Sequence, residues 1–292
     1  MRMGIPLLTA GVVCTIAVIG TVSDPAARKD RTAPASAAGR PEAPVTSAGD
    51  AEDPATWQLP IAAYMPTAAQ TRMASGLRDG LIDACMEDAG FAAWTPAPDL
   101  PAIGGKTLTD WRYGIHDDAL AARNGYHPAP AEQRAYDEAL AEGAVDESGA
   151  DDGQVRQCAE QSSGDVPALQ TADLVAQIDG DTYRAAMEDP AVVAAFGQWS
   201  SCMTDKGYSY AKPMDANDDP AFTDPNTITP AEIATATADV ACRDEHKVEK
   251  TWFDTEVVLQ KAAIKKNQAA LDKIKDTTRA SAAQAEAYAA QR

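Results

Sequence analysis

The chain has 292 residues and a net charge of -19, with 44 Asp and Glu against 25 Lys and Arg. That balance excludes nucleic acid as a natural partner, because phosphate binding demands clustered basic side chains. Its five cysteines include no Cys-x-x-Cys pair, which excludes a thioredoxin-like redox site and a compact zinc knuckle.

Arg2 precedes an apolar run from Ile5 to Val22, followed by Asp24 and the basic group Arg28, Lys29 and Arg31. This pattern predicts a signal peptide or membrane anchor over 1–22, and hence an exported protein, extracellular or held at the outer face of the cytoplasmic membrane. Cys14 lies inside the run, and Gly11-Val12-Val13 before it fits a lipid-attachment site poorly. Residues 23–56, rich in Ala, Pro and Ser, lack the large apolar groups that would offset ordering entropy, and read as a disordered linker. Four cysteines remain, Cys85, Cys158, Cys202 and Cys242. Behind an export signal they imply two disulfides, with three connectivities open.

A helical extracytoplasmic domain is expected over 57–292. The first helix is predicted from about Pro66 to Ala89, with Met73, Leu77, Leu81 and Met86 broadly on one side and Gly90-Phe91 as its exit. Residues 92–130 have no sustained period but contain Trp94, Trp111, Tyr113 and Tyr126, with a short helix over Asp117 to Arg123. A helix led by Pro130 ends at Gly143. Acidic flexible residues from Asp146 to Gly153 then separate it from Cys158, a turn covers Ser162 to Asp165, and a helix follows over Pro167 to Met187.

Asp189-Pro190 is an N-cap and first-turn pair for a helix carrying Val192, Phe196, Trp199 and Met203, which Gly207-Tyr208 ends. An acidic loop spans 212–228, and Thr229-Pro230-Ala231-Glu232 forms a capping box ahead of Cys242. If these two helices pack antiparallel, Cys202 meets Cys242 and leaves Cys85 for Cys158. From about 249 to 289 there is neither Pro nor Gly, so one long helix or two abutting helices are expected. Its stripe of Phe253, Val257, Ile264, Leu271 and Ile274 has coiled-coil character, and Val257, Ile264 and Leu271 are candidate contacts for a homo-oligomer or partner.

The candidate ligand-binding residues are Trp94, Trp111, Arg112, Tyr113, His116, Tyr126 and His127, because aromatics among acidic neighbours suit sugars or cationic ligands. His116, Asp117, Asp118 and His127 match no metal-ligand spacing. Asp215, Asn217, Asp218 and Asp219 lack the Gly and Glu of a calcium loop. No metal or cofactor is therefore expected. Nucleophile elbow, P-loop, dinucleotide and metalloprotease motifs are absent from the sequence, and no catalytic residue is assigned.

The combination of Cys85-Met86-x-x-x-Gly90-Phe91, Tyr113-Gly114-Ile115, Gly125-Tyr126-His127-Pro128, Trp199-Ser200-x-Cys202-Met203-x-x-x-Gly207-Tyr208 and Ala238-Asp239-Val240-Ala241-Cys242 resembles exported proteins and lipoproteins of high-GC Gram-positive bacteria over roughly residues 80–275. That group has no established activity, and the resemblance implies an envelope location without implying a reaction. The expectation is an all-α, disulfide-stapled domain acting as a non-catalytic interaction or structural protein, with an envelope protein or cell-wall component as a possible partner. A binding protein for a small ligand or cell-wall fragment is the alternative. An envelope enzyme using His116 or His127 with an acidic partner is the second.

Overall fold

The computed structural model describes residues 53–143 and 148–291. The expected export segment, Cys14 and most of the expected linker lie outside them. The described residues contain no strand. They form α1 (Ala68–Asp88), α2 (Asp118–Asn124), α3 (Pro130–Glu142), α4 (Asp152–Asp165), α5 (Asp173–Met187), α6 (Pro190–Asp205), α7 (Pro213–Asn217), α8 (Pro230–His246) and α9 (Val248–Ala289). Three 3-10 turns complete the set, at Pro54–Thr56, Pro60–Tyr64 and Pro220–Phe222. Pro54 is buried, so ordered packing begins inside the stretch assigned to the linker.

The spine is α9, which packs against α5, α6, α1 and the Pro60–Tyr64 turn. Trp252, Glu256 and Gln260, spaced by four residues, are buried on one side of it, and Leu271 continues the inward face. Asn267 departs from helical geometry (φ -110°, ψ 15°), and its Nδ2 donates to the Ala263 carbonyl at 2.9 Å. The apolar stripe is consumed within the domain. Leu271 is fully buried in a cluster with Leu59, Ile61, Val175 and Ile178, and Val257, Ile264 and Ile274 pack against that cluster. The expected contact residues Val257, Ile264 and Leu271 therefore do not offer a free seam, because the N-terminal 3-10 turn and α5 already cover it.

The two Cys-Met motifs end their helices alike. Gly90 and Gly207 adopt φ of 93° and 92°. Phe91 N donates to the Met86 carbonyl and Tyr208 N to the Met203 carbonyl, each at 2.9 Å, which is the long bond of a Schellman turn. Cys85 is bonded to Cys158, joining α1 to α4, and Cys202 to Cys242, joining α6 to α8.

Several local expectations are corrected. Asp152 and Gly153, expected to be flexible, and Ser162–Asp165, expected to turn, all lie in α4, which starts where the Asp151 side chain accepts from Gln154 N at 2.8 Å. Its mean hydropathy is low, but burial of Cys158 and Ser162 against α1 supplies the stabilisation that propensity lacks. The helix expected from Pro167 starts only at Asp173, and the acidic loop contains α7 and the Pro220–Phe222 turn.

The bridges close sequence separations of 73 and 40 residues, for which chain entropy gives about 4 kcal/mol of stabilisation each. Reducing either bridge, or replacing both of its cysteines with alanine, is expected to lower the unfolding free energy by that order. The urea midpoint followed by circular dichroism checks this, and an unmoved midpoint contradicts it.

Candidate binding cleft at His116

The cleft is built on a loop fastened at both ends. Thr107 Oγ1 donates to the Ala55 carbonyl and Thr109 Oγ1 to the Trp57 carbonyl, both at 2.9 Å, so residues 107–109 hold the first 3-10 turn in place. Asp110, next in sequence, is buried. Its Oδ2 accepts from Lys106 N at 2.6 Å, and its Oδ1 lies 2.8 Å from His116 Nε2. Such a carboxylate fixes the plane of the imidazole.

Arg112 and Tyr113 turn the other way. The Arg112 guanidinium meets Glu256 at 2.6 and 3.1 Å and Asp179 at 3.0 and 3.3 Å, and its centre lies 4.8 Å from the Tyr183 ring centroid. Burial opposes its charge, but Glu256 and Asp179 outweigh that and hold its pKa above the usual range. Tyr113 donates its hydroxyl to Glu256 Oε2 at 2.8 Å, and burial followed by the Glu256 charge pushes its pKa up.

A second charged group lies behind the loop. Arg243, with no solvent exposure, donates from Nε to Asp239 Oδ1 at 2.6 Å and from Nη1 to the Tyr113 carbonyl. Asp239 also accepts from Trp199 Nε1 at 2.8 Å and from the Tyr126 hydroxyl at 3.1 Å. Glu249, in the first turn of α9, reaches Arg243 Nη1 at 3.7 Å. That is an ion pair too long for a hydrogen bond. Glu249 Oε1 has no hydrogen-bond partner, and neither do the buried Arg243 Nη2 and Trp57 Nε1. Burial pushes the Glu249 carboxyl up to about 7, against the lowering effect of Arg243.

Two cavities flank His116. One, of about 610 Å³, is lined by Asp53, Lys106, Asp110, Trp111, His116 and Asp117 among others. The other, of about 470 Å³, is lined by Pro54, Trp57, His116, Asp244, Lys247, Glu249 and Lys250.

Of the residues expected to bind ligand, Trp111 and His116 share the first cavity. Trp94 is half-buried and lies outside both cavities. Arg112, Tyr113 and Tyr126 are corrected to structural roles, because their polar ends are used on Glu256, Asp179 and Asp239. His127 is directed to Glu232, 3.7 Å away, and not to His116, which is held by Asp110. Asp215 and Asp219 act as local caps, accepting from Lys212 N at 3.0 Å and Ala221 N at 2.8 Å. Cys202, Glu245 and His246 lie within metal-ligand distance of one another, but Cys202 is bonded to Cys242 and offers no thiolate.

Sequence reasoning missed Trp57, Asp110, Lys247, Glu249 and Lys250 as cleft residues. They come from three distant stretches, and the available signal was weak: a Trp at the expected domain start, and a helix junction at 247 with no glycine. No family model, curated protein or solved structure matches this chain. Among the described residues no helix is long and apolar enough to cross a membrane.

Gly114 lies against the Arg243 guanidinium with φ of 113°. A Cβ there would collide with the guanidinium, so Gly114→Ala is expected to cost on the order of 3–5 kcal/mol by displacing a buried charge from its partners. Gly76→Ala, where a Cβ meets nothing within 4 Å, is the control. Equal urea midpoints for the two variants would contradict the assignment.

Because burial raises the Glu249 carboxyl, the folded chain holds that proton more tightly than the unfolded chain. Its stabilisation is fully present below the ordinary value of 4.5 and is lost as pH rises through about 7. Glu249→Gln removes this dependence. Melting temperatures across that window should therefore shift in favour of the variant relative to wild type as pH rises, and a constant difference would contradict the raised carboxyl.

Proposed function

We propose that this chain is an exported, non-catalytic binding protein that takes a small polar ligand in the cleft beside His116. The observation that carries the reading is Glu249. It is only 6% exposed and lines the 470 Å³ cavity, yet its Oε1 has no hydrogen-bond partner. Buried polar atoms are rarely left so, and one beside a cavity calls for an explanation that the 3.7 Å ion pair to Arg243 supplies only in part. Trp57 Nε1 adds an unpartnered donor in the same wall.

The two disulfides fit an oxidising compartment and so support export. The covered stripe of α9 favours ligand binding over assembly through that helix. A second reading, an enzyme with His116 as general base, has the 2.8 Å Asp110 contact in its favour. Against it, the nearby hydroxyls of Thr107 and Thr109 are committed to backbone carbonyls.

The test is a thermal-shift screen of the intact chain against amino acids, short peptides, amines, carboxylates and sugars, repeated with His116→Ala. At least one compound class is expected to raise the melting temperature of the wild type and to lose most of that effect in the variant. No shift with any class, or shifts untouched by the variant, would overturn the reading.

A further inference from the structure

We infer that the outward face of α9, from Val258 to Lys266, is a docking surface for a membrane that carries anionic lipid headgroups. The inference is independent of the cleft and takes from the proposed function only its export.

While Trp252, Glu256 and Gln260 look inward, Val258, Lys261, Ala262, Lys265 and Lys266 fall at i, i+3, i+4, i+7 and i+8, the spacing of one helical face. All five are exposed. They precede the departure from helical geometry at Asn267, so they share one unbroken stretch of helix. No other six consecutive described residues hold three lysines or arginines, and no acidic residue occurs between Glu256 and Asp272. In a chain with 44 Asp and Glu, that is a local reversal of charge.

The fold does not neutralise this face. Glu256 is buried and used on Arg112, Asp254 is paired with Lys250, and Asp272 accepts from Gln268 Nε2 at 2.8 Å. Lys261, Lys265 and Lys266 have no ion-pair partner among the described residues, and Lys261 and Lys265, four positions apart, repel each other. Solubility gives no reason for the cluster, since a chain of charge -19 already repels its own copies. Val258, 66% exposed, is the most exposed large apolar side chain among the described residues, and it opens the basic face. Lysines beside an exposed apolar side chain suit a lipid interface, where the ammonium groups meet phosphates and the apolar group enters the acyl boundary. A soluble polyanion would use the lysines and leave the valine in water.

Each lysine close to an anionic lipid surface is worth roughly fivefold in partitioning, and three together on the order of 100-fold. The acidic body opposes this, but at physiological salt charges beyond about 8 Å are screened, so the groups nearest the lipid decide. Where the apolar run from Ile5 to Val22 stays in the membrane as the anchor expected from the sequence, residues 23–52 span at most roughly 100 Å and keep the domain near the lipid.

Limited lysine acetylation of the intact chain, read residue by residue by mass spectrometry with and without vesicles, tests this. With phosphatidylglycerol vesicles at low salt, Lys261, Lys265 and Lys266 are expected to react at least about threefold more slowly, while the exposed Lys206 and Lys212 keep their rates. The protection is expected to fade at high salt and to be absent with phosphatidylcholine vesicles. Lys265→Glu should remove it from Lys261 and Lys266, and Val258→Gln should remove most of it, both without a change in melting temperature because the two positions are exposed. Unchanged rates with phosphatidylglycerol, equal protection by phosphatidylcholine, or protection that survives Lys265→Glu overturns the inference. Polyphosphate protecting the three lysines as well as the vesicles do, with Val258→Gln without effect, overturns the lipid surface in favour of a soluble polyanion. The ligand of the cleft is tested separately by the thermal-shift screen, so the two readings fail independently.

Discussion

A guanidinium without solvent must be enclosed by acceptors, and Arg243 sets the positions of the chain around it. Asp239, one turn earlier in α8, takes its Nε, and the carbonyl of Tyr113 takes Nη1. Glu249 answers from the next helix. Asp239 in turn anchors Trp199 from α6 and Tyr126 from the loop after α2, so one charged pair fixes two helices and two irregular segments. Gly114 is the backbone counterpart of this arrangement, since any side chain there would occupy the space of the guanidinium.

Arg112, the charged residue next to Tyr113, works on the same loop from the other side. Arg112 joins Asp179 of α5 to Glu256 of α9, and Gln260 extends the connection to the backbone of Ile61 at 3.0 Å. The irregular segment between α1 and α2 is thereby held by adjacent residues reaching in two directions, Arg112 toward α5 and α9 and the Tyr113 carbonyl toward α8. His116, three residues beyond Tyr113, is left on the outer side with Asp110 behind it, where the two cavities meet. The cleft is a consequence of this anchoring. The abrupt passage from α8 to α9 through the single residue Lys247 then brings Glu249 inward and leaves the lysines at the rim.

The aromatic segment illustrates how composition misleads about sites. Tyr113 and Tyr126 are the kind of residues that line sugar-binding grooves, yet each delivers its hydroxyl to a buried carboxylate and its ring to the core. The reason is energetic. A buried carboxylate requires donors, and a tyrosine supplies one while adding apolar area. Tyr113 satisfies Glu256 and Tyr126 satisfies Asp239, and only Trp111 and His116 of the expected set remain at the cleft.

Local chemistry was legible wherever it was self-contained. The caps at Thr229, Asp189 and the two Gly-aromatic exits follow from residues within one turn of each other. The pairing was less legible: antiparallel packing of two helices suggests Cys202–Cys242, and Cys85–Cys158 is only the pair that remains. The long helix from 248 was legible for the same reason, as an unbroken run of helix formers with an apolar stripe. What covers that stripe was not, because Leu59, Ile61, Val175 and Ile178 lie far away in sequence and meet it only after the chain has folded. Nor was α4, whose stability comes from contact with α1 more than from its own residues. The candidate site belongs wholly to this second kind. Trp57, His116 and Glu249 share no local pattern, and a carboxylate acquires its significance there only once burial has removed water from it and the fold has left one of its oxygens without a donor.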